Sequence, residues 1–277
     1  MRQHSGKSNL RGILPALLLL FGLTLPWFCY MLLLFPVFPA AVQADAAEPG
    51  ELPAEPRPQI PGDYGGEKLI ALTFDDGPRR STTTRLLDGL SERGVQATFF
   101  LIGAQIEGNE DVIRRMDNEG HQIGIHTYDH VKLTGLNRAD FDAQVEKSRM
   151  LLKETLGHND FLLRPPYGML DDSVKAWAGC PIILWSIDPE DWDDKNADRE
   201  VQQIVSEAQD GSIILMHDIF PESVDAALRV VDALHAQGFL FCTVDELFAA
   251  RGIELEARKV STDPKLKMMD LIAKVDK

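Results

Sequence analysis

Two adjacent aspartates, Asp75 and Asp76, stand at the end of a short apolar run and are followed by Gly77-Pro78. Side by side, two ionised carboxylates repel unless something compensates them. A cation removes the problem: if Asp76 ligates a metal, Asp75 can remain a free carboxylate beside it, placed to act as a base. Taken alone, Asp-Asp-Gly-Pro reads equally well as a solvated turn. The apolar run in front of it and four further polar clusters weigh against that. His126 and His130 are four residues apart, a spacing that can present two imidazoles to one ion. A lone HxxxH is a weak signal, but this one follows an apolar run and has a carboxylate to complete it. Two histidines and one aspartate leave positions open for water, as a catalytic centre requires. Zn²⁺ is the expected ion, and the mixed nitrogen and oxygen set also suits Co²⁺, Ni²⁺ or Mn²⁺. Thr127 could hydrogen-bond within the loop and fix its shape.

His217 closes another apolar run, where neighbouring groups can tune its pKa. A satisfied core histidine is the ordinary reading of such a residue. Here Asp188 and Asp191, after the preceding run, could orient or charge it. Arg164 precedes Pro165-Pro166-Tyr167-Gly168 at a run end, where it can pair with a pocket carboxylate, expected to be Asp75. Trp192 and Leu215 offer apolar surface the size of an acetyl methyl. The other three histidines of the globular part, His121, His158 and His235, fall in turn or helix contexts and read as surface residues.

The elements that must carry these groups alternate. Strand-like runs occupy 69–74, 97–102, 122–126, 161–164, 182–187, 212–217 and 239–243. Helical patterns lie near 81–93, 105–119, 138–156, 171–178, 197–209, 221–237 and 244–251. Phe141, Val145 and Leu152 recur at helical spacing, and Gly120, Gly157, Gly211 and Gly238 follow helix candidates as stop signals. Strands alternating with helices predict a mainly parallel α/β sheet or barrel. In such folds the C-terminal strand ends line the active site. Five of the seven runs end in reactive or charged groups, so one shared pocket is the economical expectation.

Before this region the chain changes character. Arg2, Lys7 and Arg11 form a basic flank within residues 1–12, and 13–43 is an uncharged stretch long enough to span a membrane. The flank orients the remainder to the outside. A membrane anchor is the favoured expectation, and a signal peptide cleaved before Asp45 the alternative. Either exports the domain. Residues 44–66 have the Pro-rich composition of an extended linker. The globular domain is expected over 67–251, with a charged tail at 252–277 whose apolar set (Leu266, Met269, Ile272, Val275) could form a short helix. The net charge of −15 becomes −18 once the three N-terminal basic residues are set aside. That disfavours nucleic acid and strongly anionic polymers as partners. Of the three cysteines, Cys29 lies in the apolar stretch, and Cys180 and Cys242 read as buried free thiols.

The five clusters, in this order, resemble the polysaccharide deacetylases of carbohydrate esterase family 4, which carry the NodB homology domain. The matching motifs are 73–78, His126/His130, 164–168, Asp188 to Trp192, and Leu215 to His217. The resemblance implies an irregular NodB-like (β/α) barrel of about seven parallel strands. It implies Asp75 as general base, Asp76, His126 and His130 as metal ligands, and Arg164 orienting Asp75. It further implies the Tyr167 backbone N–H at the oxyanion beside Pro166, Asp188 tuning the general acid His217, and Trp192 and Leu215 lining the acetyl pocket. The implied substrate is an N-acetylated glycan, most often peptidoglycan for exported members, otherwise chitin oligomers or acetylated xylan. A glycosidase is disfavoured, because adjacent Asp75 and Asp76 cannot supply the ~5–9 Å between its carboxylates. A non-catalytic glycan-binding protein would not need intact acid, base and ligand sets.

Overall fold

The computed structural model describes residues 66–263. The membrane-targeting stretch, all of the linker but Gly66, and the apolar set of the tail lie outside them. No helix among the described residues is long and apolar enough to cross a membrane.

Eight parallel strands form the sheet: β1 (Lys68–Asp75), β2 (Thr98–Leu101), β3 (Gln122–Ile125), β4 (Leu162–Leu163), β5 (Ile182–Ile183), β6 (Ile213–His217), β7 (Phe239–Phe241) and β8 (Val260–Ser261). Their order is β6-β1-β2-β3-β4-β5-β8, and β7 pairs with the start of β1. After β5 the chain leaves β8 and crosses to β6, where Ile187 bridges Ile214 and the Ser186 N–H donates to the Ile213 carbonyl at 2.9 Å. That crossing curls the sheet into an irregular half-barrel, with one isolated bridge joining the segment after β5 to β6.

Seven of the strands fall where the apolar runs predict them. The eighth, β8, lies within the stretch expected to be tail, so the domain extends past residue 251. Two residues have no period to detect, and they become a strand only because β5 offers an open edge (Ile182↔Val260).

The helices are α1 (Arg80–Glu92), α2 (Glu110–Asn118), α3 (Arg138–Leu156), α4 (Asp172–Trp177), α5 (Ala197–Glu207), α6 (Pro221–Ala236) and α7 (Val244–Ala249). Local chemistry sets their ends. The Asn137 side chain accepts the Asp140 N–H at the start of α3, and left-handed Gly157 (φ 81) stops it. The helix expected from 105 begins only at Glu110. A 3-10 turn at Gly103–Gln105 and left-handed Gly108 (φ 82) intervene.

Strand periodicity explains how the barrel becomes polar at one end. Ile70, Leu72 and Phe74 pack outward into the larger apolar cluster beneath the helices, while Leu69 and Ala71 join a separate inner cluster. The inner cluster also holds Phe100, Leu162, Ile183 and Ile213, and α7 adds Val244, Leu247 and Phe248 to it. Side chains alternate along a strand. The inward series therefore continues from Ala71 to Thr73 and Asp75, from Gly124 to His126, from Leu162 to Arg164, and from Ile213 to Leu215 and His217. Each of these four strands delivers a polar side chain to the site at its C-terminal end.

Candidate active site

Arg164 is the largest fully buried side chain, at 0 % exposure. Nη1 donates to the Asp75 carboxylate at 2.8 Å and to Thr73 Oγ1 at 2.7 Å. Nε and Nη2 donate to the carbonyls of Ile183 and Leu184 at 3.2 and 3.1 Å. The guanidinium lies 4.0 Å from the Phe100 ring centroid. Phe100 in turn fills the space beside Gly124, where an added Cβ would meet its ring at 2.5 Å. Burial opposes the Arg164 charge and the Asp75 carboxylate supports it. A buried pair of this kind is retained only with such complete hydrogen bonding.

Beside it, Asp76, His126 and His130 each present a ligand atom, all within 4.8 Å of one another. Asp76 takes a left-handed backbone (φ 72), which turns its side chain away from the alternation that aims Asp75 inward. Its Oδ1 is buried with no hydrogen-bond partner among the described residues, and lies 3.5 Å from His126 Nε2 and 3.3 Å from His130 Nε2. Tetrahedral ligands with bonds of roughly 2.0–2.2 Å stand about 3.3–3.6 Å apart, so the spacing suits a metal of that size. His126 Nδ1 donates to the Arg164 carbonyl at 2.7 Å, which leaves Nε2 with its lone pair facing the site. Burial holds His126 below the usual imidazole range, in the neutral form a metal needs. The three residues fit a divalent transition metal. Thr127 does not fix the loop through its side chain: Oγ1 has no partner among the described residues, and the Thr127 backbone carbonyl instead accepts the Gly103 N–H at 2.9 Å.

Across from this set, His217 is the register partner of Asp75. Asp191, fully buried, accepts from His217 Nδ1 at 2.7 Å and from the His217 backbone N–H at 2.8 Å. Burial disfavours the imidazolium, but the Asp191 hydrogen bond and the charges of Asp191, Asp75 and Asp76 outweigh it and raise His217 to about 9. The implied role of Asp188 is thus corrected. Its carboxylate accepts the Glu190 N–H at 2.9 Å, burial raises its pKa, and it reaches His217 only through longer-range attraction.

Leu215 is buried two residues before His217, and Pro166 is buried at the rim. Tyr167 is 60 % exposed, with left-handed backbone (φ 62) and its ring centroid 5.0 Å from that of His130. Trp192, 51 % exposed, follows Asp191 in the same loop. A cavity of about 340 Å³ opens beside Asp76 and His130, lined also by Pro78, Arg79, Gln105 and Ile219. A larger one, about 730 Å³, lies at the N-terminal ends of β4 and β5 and contains none of the site residues.

Residues outside the five clusters behave differently. His121 is not on the surface: it is 1 % exposed, Nδ1 accepts the Ala97 N–H at 3.0 Å, and burial lowers its pKa to about 4. His158 is half-buried between Asp117 and Asp160, whose hydrogen bonds raise it to about 9. His235 is exposed on α6. Cys180 and Cys242 are free and buried, as expected.

Comparison with known proteins agrees with this arrangement. A family model described as polysaccharide deacetylase matches residues 62–179. The peptidoglycan-N-acetylglucosamine deacetylase PgdA of Listeria monocytogenes is 39% identical over 184 residues, covering 66% of this chain and 40% of its own. A chitooligosaccharide deacetylase of Sinorhizobium fredii is 35% identical over 198 residues, covering 65% of this chain and 92% of its own. Among solved structures, the family 4 acetyl xylan esterase of Clostridium thermocellum, in complex with a cobalt ion, matches with a TM-score of 0.68 at 27% identity, covering 71% of this chain and 98% of that one. The chain belongs to the polysaccharide deacetylase family. It spans about 40% of the length of PgdA.

Proposed function

We propose that this protein is a metal-dependent hydrolase that removes acetyl groups from N-acetylglucosamine-type residues of an extracellular polysaccharide, with peptidoglycan the expected polymer. The observation that carries the reading is the placement of Asp75, held by Arg164, and His217, held by Asp191, on adjacent strands beside the Asp76, His126 and His130 set. The similarity to PgdA supports the choice of glycan.

A divalent metal, with Zn²⁺ expected, would polarise the acetyl carbonyl and make water more acidic. Asp75, locked by Arg164, accepts a proton from the attacking water. Tyr167 presents its backbone N–H at the rim toward the developing oxyanion. His217, cationic beside Asp191, protonates the leaving nitrogen, since an amide anion is too basic to leave unaided. Acetate and a glucosamine residue result. Leu215 and Trp192 supply the apolar contact for the acetyl methyl.

The same groups would serve a chitooligosaccharide deacetylase or an O-acetyl xylan esterase. The ester reaction needs less of His217, because an alkoxide leaves more readily. The basic flank and apolar stretch ahead of the domain support export, with the domain anchored at the outer face of the cytoplasmic membrane or secreted. Protease treatment of intact, wall-stripped cells tests that: digestion of the domain is expected, and protection refutes it.

The deciding assay measures acetate release from N-acetylglucosamine oligomers, peptidoglycan and acetylated xylan, with and without chelator. Release from peptidoglycan that stops on chelation and returns with Zn²⁺ or Co²⁺ is expected. Full activity in rigorously metal-free protein would overturn the metal-dependent reading.

A further inference from the structure

Asp218 follows the proposed acid His217 but has no place in the chemistry above. Its side chain is fully buried beneath the turn that carries Asp75 and Asp76. An added Cβ at Gly77 would lie 2.4 and 2.5 Å from the two Asp218 carboxyl oxygens, so the carboxyl occupies the space a side chain at position 77 would need. Thr83 Oγ1 accepts the Arg79 N–H at 2.8 Å and donates to Asp218 Oδ2. The other oxygen, Oδ1, has no hydrogen-bond partner among the described residues. A buried carboxyl with so few partners is costly. An apolar side chain would fill the same space without that cost.

The turn above it is strained. A left-handed aspartate such as Asp76 persists only where its surroundings over-determine it. Those surroundings grip the turn from two sides. The Gly77 carbonyl accepts the Ile102 N–H at 3.0 Å from beyond the end of β2. On the β6 side, Arg79 Nη1 donates to the Ile219 carbonyl at 3.0 Å, and Asp218 supports Gly77 and ties the first turn of α1 through Thr83.

We propose that Asp218 is a positioning residue for the metal-binding turn: its carboxyl, braced by Thr83 under Gly77, holds Asp76 in the conformation that aims its Oδ1 at His126 and His130. One short segment, 217–219, would then present the acid and set the ligand geometry together. The inference deepens the reading of this site as a metal centre, but its test needs no glycan and no turnover.

Zn²⁺ affinity of metal-stripped, full-length protein, measured by chelator competition, is the readout. Removing a group that orients a ligand typically costs ~10–100-fold in metal affinity. Asp218→Ala is expected to weaken Zn²⁺ binding by about that factor, while Asp218→Asn, which keeps the shape and an acceptor for Thr83, stays within roughly threefold of wild type. Gly77→Ala should weaken binding through the clash, and Asp218→Ala added to it should restore part of the loss. Thr83→Val, which removes the brace and keeps the volume, should cost several-fold and serves if Asp218→Ala does not fold. Wild-type Zn²⁺ affinity in folded Asp218→Ala, or in Thr83→Val, overturns the proposal. Weakened Zn²⁺ binding with no acetate release from any glycan would sustain it while removing the deacetylase reading.

Discussion

Asp75 and His217 are register partners on adjacent parallel strands, although most of the domain separates them in sequence. Neighbouring strands lie about 4.8 Å apart, and side chains in register point to the same face. The proposed base and acid therefore rise from one wall of the sheet, with β1 and β6 fixing their spacing. Arg164 restrains Asp75 from one side and Asp191 restrains His217 from the other.

That arrangement divides the labour. Asp75→Asn should lower turnover on N-acetyl substrates and on an activated aryl acetate alike, with metal content unchanged. His217→Ala should cut N-deacetylation by ~10²–10⁴-fold and aryl acetate hydrolysis much less, because the aryl oxide needs no proton to leave. The ratio of amide to ester activity in each variant is the measurement. An equal loss of both activities in His217→Ala, at full metal occupancy, would show that the ring positions the site and donates no proton.

The His217–Asp191 hydrogen bond predicts a shift in pH dependence. A general acid works while protonated, so with His217 in the proposed role activity should fall as pH rises through its pKa. Asp191 favours the charged ring. Asp191→Asn should therefore move the alkaline limb of kcat against pH to lower pH, and Asp188→Asn should move it less. Equal shifts in the two variants would restore Asp188 as the tuning residue.

The chain of contacts from Gly124 through Phe100 to Arg164 predicts an effect at a distance. Gly124→Ala would push the Phe100 ring toward the guanidinium, at a cost of about 1–3 kcal/mol for overpacking. It should lower kcat more than KM, since Asp75 loses its orientation while the rim is untouched. Arg164→Lys keeps the charge but not the planar fork, and should lower kcat at least ~tenfold. Unchanged kcat in both variants would remove Arg164 from the machinery.

Two histidines away from the site predict opposite pH effects on stability. His121 has a folded pKa lowered to about 4, so its contribution is present above the unfolded value of about 6.5 and is lost as pH falls toward 4. His158 has a folded pKa raised to about 9, so its contribution is complete below about 6.5 and is lost as pH rises through 9. With solvent screening, the His158 contribution is about 1 kcal/mol. His158→Gln should lower Tm at pH 6 and leave it nearly unchanged at pH 10. Equal losses at both pH values would mean that packing, not charge, accounts for the effect.

What was legible in the sequence had a local cause. An inward-facing strand position that turns from apolar to polar marks both the strand and its functional end, so Asp75, His126, Arg164 and His217 could be read before any fold was known. The pairing of Arg164 with Asp75 followed from chemistry, since a buried guanidinium needs a carboxylate. Other features depend on where the chain travels. The residues alone offered Asp188 and Asp191 alike and the family resemblance favoured Asp188, but the crossing at Ile187 brings Asp191 against His217. His121 follows a glycine and precedes a glutamine, which reads as a turn, yet its ring stacks edge-on against Phe99 with centroids 5.3 Å apart. Asp218 and Thr83 carried one faint signal, an acidic residue directly after the acid at the end of a buried strand. Nothing local indicated that a glycine would rest upon it.

One narrow seam, where Ile187 meets Ile214, joins the segment after β5 to β6. Beyond that seam, Asp191 ties the same segment to the end of β6 through the His217 ring and N–H. Asp191 therefore both favours the charged His217 ring and ties the segment after β5 to the end of β6. Slow hydrogen exchange at the His217 amide would report both states at once. Loss of that tie would loosen the end of β6 and remove one of the three carboxylates, with Asp75 and Asp76, whose charge favours the His217 imidazolium.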